Sequence, residues 1–209
     1  MTCKNTRAEL ERLLQVRNEH PDRAVEVDTQ IREIFTETHA IMVLDMSGFS
    51  KFTLRYGIIP FLAALRRLCA IATPIIYQHQ GTVVKQEADD IFAVFPQVNL
   101  AVDAAVDILK SLAAVNTGLP DSLDLYAGIG IGYGDVLMIE GRDLFGNEMN
   151  LASKLGEDLA RSNEILLTET AYKQLTNNRY SWEELEFSIS GIELVTYKVL
   201  LPQISSVGF

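Results

Sequence analysis

Apolar and polar positions along this chain keep two periods, and the points where one gives way to the other mark out its elements. Leu10, Leu13 and Leu14, then Ile31, Ile34 and Phe35, recur at helical spacing in Arg7 to Asn18 and Val25 to Phe35, with His20-Pro21-Asp22 between. This predicts an N-terminal helical extension, residues 1–38. It is too short and interrupted for a coiled coil, and is able to pack on a domain or on a second copy. His39-Ala-Ile-Met-Val-Leu-Asp45 is an apolar run closed by a carboxylate, and it predicts a buried central strand leading into a tight turn. From Phe49 to His79 the pattern is mostly helical, with Ile59, Leu62, Leu65, Leu68 and Ile75 on one face and a kink or break at Pro74.

Gly81 to Phe95 reads as strand, turn, strand: Val83, Val84, Ile91, Phe92, Val94 and Phe95 enter a core, while Lys85, Glu87, Asp89 and Asp90 gather at the reversal. Val98 to Val115 is helical through Val102, Ala105, Val106, Leu109 and Leu112. Leu123 to Glu140 returns to strand alternation at Leu125, Ala127, Ile129 and Ile131, then Val136, Met138 and Ile139, and predicts a second hairpin. Its glycines at 128, 130, 132 and 134 lie inside strands, not at a strand-to-helix turn. That argues against a dinucleotide fingerprint and for close backbone approach. A third core helix, Leu144 to Ala160, precedes a strand at Glu164 to Thr168, a short helix at Glu169 to Leu175, and paired strands at Tyr180 to Ile189 and Leu194 to Leu200. The order strand, helix, strand, strand, helix, strand predicts an α/β fold, a ferredoxin-like α/β sandwich with a C-terminal elaboration.

Composition narrows the function classes. With 209 residues, 48% of them hydrophobic, the chain supports one well-buried domain, read as residues 39–202, followed by a short tail, 203–209. No run approaches the roughly 18 apolar residues of a membrane span. Met1-Thr-Cys-Lys-Asn-Thr-Arg7 lacks a signal-peptide core, so the expected location is cytoplasmic, with no membrane partner. Cys3 and Cys69 fit neither a disulfide framework nor a thiolate metal site, and His20, His39 and His79 share no zinc spacing. A formal net charge of -10 argues against a nucleic-acid partner and leaves any anionic substrate dependent on a local cationic or metal-bearing pocket.

Asp45 after the first strand and Asp89 in the hairpin tip fall at places that a βαβ-hairpin arrangement can bring to one edge of a sheet. Paired carboxylates there can hold magnesium or manganese, with substrate phosphates completing the shell. A tip that is merely charged and solvated fits the same residues.

Four separated motifs add to this. Val43-Leu-Asp45-Met-Ser-Gly48-Phe-Ser, Val83-Val-Lys85-Gln-Glu-Ala-Asp89, Asp143-Leu-Phe-Gly146-Asn-Glu-Met-Asn150-Leu-Ala-Ser-Lys154 and Ser190-Gly191-Ile192-Glu193 stand in the order and spacing of the class III nucleotidyl cyclases. The chain resembles that family, the adenylate and guanylate cyclase catalytic domains, over about residues 39–200. The resemblance implies that Asp45, Asp89 and the Met46 carbonyl bind two Mg2+ or Mn2+ ions. It also implies that Lys85 and Asp143 read the purine, that Asn150 orients the ribose, and that Lys154 stands where a transition-state arginine is usual. Lysine with aspartate suits adenine: the lysine donates to N1 and the aspartate accepts from the 6-amino group. The implied reaction converts ATP to 3′,5′-cyclic AMP and pyrophosphate. The implied assembly is a head-to-tail homodimer in which Asp45 and Asp89 of one chain meet Lys85, Asp143, Asn150 and Lys154 of the other. Three departures favour an alternative, a catalytically weak or inactive nucleotide-binding regulatory domain. Lys154 replaces an arginine fork, Ala88 replaces a glycine, and Ser190 to Ile192 carry no cation.

Overall fold

The computed structural model describes residues 5–120, 123–177, 179–189 and 192–201. Two helices come first, α1 (Arg7–Glu19) and α2 (Ala24–Phe35), joined by a short 3-10 turn at Pro21–Arg23. Thr6 starts α1 by accepting a hydrogen bond from the Glu9 amide at 3.2 Å, satisfying one of the free N–H groups of its first turn. The pair packs on the domain: Leu10, Leu13, Val27, Ile31 and Phe35 close over Ile139 in a small core of their own.

β1 (Thr36–Met46) follows directly and starts three residues earlier than the apolar run predicts. The next stretch is two helices, α3 (Phe49–Tyr56) and α4 (Ile58–Gln78). The break falls at Gly57, whose φ of 87° suits glycine, and not at Pro74, which α4 contains. The face that α4 buries matches the expected one only in part, with Leu68 buried and Leu65 and Ile75 packed against the core. Phe61, Ala64, Leu68, Cys69, Ala72 and Ile76 go inward, while Ile59 and Leu62 are exposed. By length and composition α4 is apolar enough to cross a membrane, contrary to the expectation from the sequence, although its inner face is part of the core.

β2 (Thr82–Glu87) and β3 (Asp90–Phe95) form the expected hairpin, and α5 (Val98–Asn116) buries the predicted stripe. No hairpin turn occurs within Leu123 to Glu140. β4 (Ala127–Ile139) runs straight through its glycines, and the reversal comes after it, into β5 (Asp143–Phe145). The expected third helix therefore begins late, as α6 (Asn147–Ser153), and continues as a π-helical turn, Lys154–Leu159. β6 (Ile165–Thr168), α7 (Glu169–Tyr172), β7 (Ser181–Ile189) and β8 (Ile192–Leu200) complete the chain.

Among the described residues the strands make one sheet in the order β2-β3-β1-β4-β6-β8-β7, with β5 on the far end of β4. Its first four strands are antiparallel in the ferredoxin-like arrangement, and β6 adds to β4 in parallel. Period-2 alternation sorts β1 between the faces: Ala40, Met42 and Leu44 meet α4 and α5, and Ile41 and Val43 meet the α6 side. Each large, fully buried chain such as Leu68, Phe95 or Leu112 contributes about 1.5–3 kcal/mol.

On β4 the same alternation puts Ile129 and Ile131 in the helical core and turns the even-numbered glycines to α6. An added Cβ at Gly130 would run into the Ala152 carbonyl and come within 2.6 Å of the Gly156 amide, and one at Gly156 would lie 2.8 Å from the Val43 carbonyl. Helix backbone thus lies directly on sheet backbone. Gly130→Ala is expected to lower Tm by roughly 5–10 °C, the scale of an overpacking cost of about 2–3 kcal/mol. Gly118→Ala, whose new Cβ would meet only the Val115 carbonyl at 3.7 Å, should leave Tm nearly unchanged in the same calorimetric scan.

Candidate active site

Two groups of predicted residues occupy different places on the β2–β3 hairpin. At the tip, the antiparallel register sets Asp45 opposite Asp90 on one side and Gly128 on the other. The turn between Glu87 and Asp90 is held by the Met46 amide, which donates to the Asp89 carbonyl at 3.3 Å. Ala88 takes a φ of 50° there, a left-handed conformation costing a residue with a Cβ roughly 1–2 kcal/mol. The Ser47 amide donates to the Tyr126 carbonyl at 2.9 Å, so Asp45 does not cap that amide.

The charges acting on Asp45 and Asp90 are of one sign. Burial pushes the Asp45 carboxyl up to about 7, reinforced by the charges of Asp89, Glu157 and Asp158 and by a hydrogen bond shared with Asp89. Asp90 rises to about 7 through burial and then the charges of Glu157, Asp45, Asp89 and Glu87. Asp90 Oδ1 is buried without a hydrogen-bond partner. Glu157 is raised as well, by burial first and by Asp158 and Asp89, against the lowering effect of a Ser153 hydrogen bond. Neither Asp90 nor Glu157 is among the ligands expected from the sequence. Gly156 is the signal for the latter, since only a glycine lets the π-helical turn close on β4 and carry Glu157 toward the hairpin.

An acidic group with half-buried, raised carboxyls at Asp45 and Asp90 and an orphaned oxygen fits a hard divalent cation. Among the described residues, however, no three His, Cys, Asp or Glu side chains converge closely enough to form a complete cage. Two carboxylates and a carbonyl would leave most of the shell to water or to substrate phosphates.

Behind the tip, Lys85 and Asp143 come together. Lys85 Nζ lies 3.1 Å from Asp143 Oδ1, 2.9 Å from Glu87 Oε2, and 4.8 Å over the Phe92 ring. Asp143 opens β5 after a tight reversal whose central residues, Glu140 and Gly141, have φ of 54° and 65°, the signature of a primed hairpin turn. Burial would raise the Asp143 carboxyl, but hydrogen bonds from Arg7 and Lys85 overcome it and hold the group below its ordinary value. Arg7 is a partner that the sequence reading does not name.

Asn150 is exposed on α6, and neither it nor Asp143 caps that helix; Gly146 stands at the cap position. Lys154 opens the π-helical turn and donates to Asp158 at 2.7 Å. Ser190 and Gly191 of the closing glycine motif, and Cys3, lie outside the described residues.

The raised carboxyls set a pH dependence. The folded state holds these protons more tightly than the unfolded chain does, so stability falls as pH rises from about 4 to about 7. In metal-free buffer, Asp45→Asn is expected to raise Tm by a few degrees at pH 8 and by less at pH 5; an equal gain at both values would contradict the assignment.

The family model for the adenylate and guanylate cyclase catalytic domain matches residues 33–200. "Putative adenylate cyclase 3" of Rhizobium meliloti (strain 1021) is 28% identical over 130 residues, 62% of this chain; the aligned part is 22% of that protein. The chain thus matches only about a fifth of that relative's length. The catalytic core of a rhodopsin-guanylyl cyclase with converted specificity, in complex with ATPalphaS, superposes with a TM-score of 0.67 at 20% identity, over 78% of this chain and 96% of that one. The adenylate/guanylate cyclase/hydrolase from Silicibacter pomeroyi gives 0.67 at 22% identity over 79% and 98%. These likenesses carry the fold. The chain belongs to the family of adenylate and guanylate cyclase catalytic domains.

Proposed function

We propose that this domain is an adenylate cyclase, converting ATP to 3′,5′-cyclic AMP and pyrophosphate at sites shared between two copies. The observation that carries this is the Lys85–Asp143 pair, with Nζ and Oδ1 3.1 Å apart although the residues come from different hairpins. A lysine that donates to N1 beside an ionised aspartate that accepts from the 6-amino group matches adenine; guanine presents O6 and N1–H instead. Within one chain Lys85 pairs with Asp143 and Glu87, and neither Lys85 nor Asp143 is among the groups that act on Asp45 and Asp90. This supports a site completed by the tip of a second copy, head to tail.

Asp45, Asp89 and the Met46 carbonyl would hold two Mg2+ or Mn2+ ions, which supply an acidified ribose 3′-hydroxyl and charge balance for the phosphates. Asn150, exposed on α6, orients the ribose so that its 3′-oxygen faces the α-phosphorus. As the 3′-hydroxyl gives its proton to solvent and its oxygen bonds to the α-phosphorus, the bond from that phosphorus to the pyrophosphate oxygen breaks, and Lys154 offsets the charge that builds on the α-phosphate. Asp158 competes for Lys154 in the free domain. That pairing, together with the strained Ala88, favours a second reading in which the domain binds nucleotide without turning it over.

Purified protein with manganese should form cyclic AMP from ATP and little cyclic GMP from GTP, and Asp45→Ala should abolish product. ATP-induced thermal shifts without product above the Asp45→Ala control would favour the second reading. Lys154→Arg restores a planar fork and is expected to raise turnover about tenfold, equivalent to about 1.4 kcal/mol in the barrier, when cyclic AMP is followed over time.

A further inference from the structure

We infer that Arg7, from the N-terminal helix α1, is a positioning residue for purine selection: it fixes the Asp143 oxygen that accepts from the base. The inference rests on the reading of Asp143 as the adenine acceptor.

A carboxylate offers about four lone-pair sites. On Asp143, Oδ1 accepts from Lys85 Nζ at 3.1 Å and from the Leu144 amide at 3.0 Å, which fills it. Oδ2 accepts from Arg7 Nη2 at 2.6 Å and keeps one site. Arg7 therefore decides where the single remaining lone pair points. Lys85 is arranged in a matching way: of its three N–H donors, one goes to Glu87 and one to Asp143, leaving one for a ring nitrogen.

The arginine is itself held in place. Asn5 Nδ2 donates to the Met138 carbonyl at 2.8 Å, and its Oδ1 accepts from the Glu140 amide at 3.0 Å, so the segment before α1 is bonded to the end of β4. The Arg7 amide donates to Glu140 Oε1 at 3.4 Å, on the left-handed turn that delivers Asp143. One turn further along α1, Leu10 and Leu13 are buried in the core shared with Ile139. The N-terminal segment thus grips both the β4–β5 turn and the carboxylate that follows it. Two cations on one carboxylate also keep it an acceptor, so it does not donate to O6 of guanine.

The test uses the full chain, manganese, and the fluorescent methylanthraniloyl analogues of ATP and GTP, read as dissociation constants so that turnover is not required. Arg7→Ala should weaken the ATP analogue about threefold to fivefold, the scale of a half-exposed ion pair, and leave the GTP analogue unchanged, so that the ratio falls. Arg7→Gln, which is uncharged and two bonds too short to reach Asp143 but keeps a polar side chain on the helix, should give the same fall if the alanine variant folds poorly. Arg7→Lys should recover most of the ratio. Arg23→Ala, which breaks an exposed ion pair with Glu26 elsewhere on the helical pair, should change neither constant. Equal weakening of both analogues by Arg7→Ala would mean a structural role only and overturn the inference. If Asp143→Ala shifts the ratio and no Arg7 variant does, the inference fails while the reading of Asp143 stands. If Asp143→Ala also leaves the ratio in place, or neither analogue binds the wild type, both fail.

Discussion

The contact on which the rest of the structure depends is backbone against backbone, where the end of α6 and the π-helical turn lie on β4 at Gly130 and Gly156. Gly130 and Gly156 face each other across it, and Gly156 also lies against the Val43 carbonyl of β1. Such an approach costs conformational entropy at each glycine, since glycine loses more freedom on folding than any other residue. What it gains is position. A layer of valines or leucines would hold a helix several ångströms farther from the sheet. At the observed distance the π-helical turn brings Glu157 and Asp158 close enough to act on Asp45 at the end of β1. The wider turn follows from the same constraint, because an extra residue per turn lets the chain keep Gly156 against the sheet. π-Helical segments recur at functional sites, in keeping with such local adjustments.

Charge is distributed unevenly over the two ends of the proposed site, and the unevenness follows from the fold. Asp143 is ringed by donors and held ionised, its hydrogen-bonding capacity nearly complete within one chain. The acidic tip is the reverse: the charges that act on Asp45 and Asp90 are other carboxylates, and a buried Asp90 oxygen has no partner. A chain selected for stability alone would not gather half-buried acids without a cationic partner at the end of its central strands. The tip thus gathers negative charge and is fit to receive positive charge, whereas the Lys85–Asp143 pair is already satisfied within the chain.

Legibility in the sequence followed how many constraints each segment obeys. The β2–β3 hairpin was readable because its apolar arms, charged tip and turn length all agree, and α5 because it carries a clear stripe. α4 was not. It is apolar nearly all round, so periodicity gives its inner face only in part: Leu68 goes inward as expected, but Phe61 and Ala64 do so where Ile59 and Leu62 are expected. β4 misled in another way. A run of alternating glycines resembles turn chemistry, yet each glycine serves a helix that the sequence places later, and the reversal waits for Glu140 and Gly141. That error carried forward and displaced the start of α6. Lys85, Asp89 and Asp143 were legible as candidates through their motifs; the environment that sets their charge states was not.

Arg7 marks the limit of such reading. Nothing in its local pattern distinguishes it from the other basic residues of an amphipathic helix, and its partner stands 136 positions away. The contact exists because β4 is long. Its first half pairs with β6 and carries the glycine seam, while its last residues reach the helical pair and pair with β5. One strand therefore joins the seam, the turn that delivers Asp143, and the surface on which α1 rests. A charge on the first turn of an appended helix meets Asp143 by that geometry. The extension, which composition and periodicity present as an appendage, is by position continuous with the site.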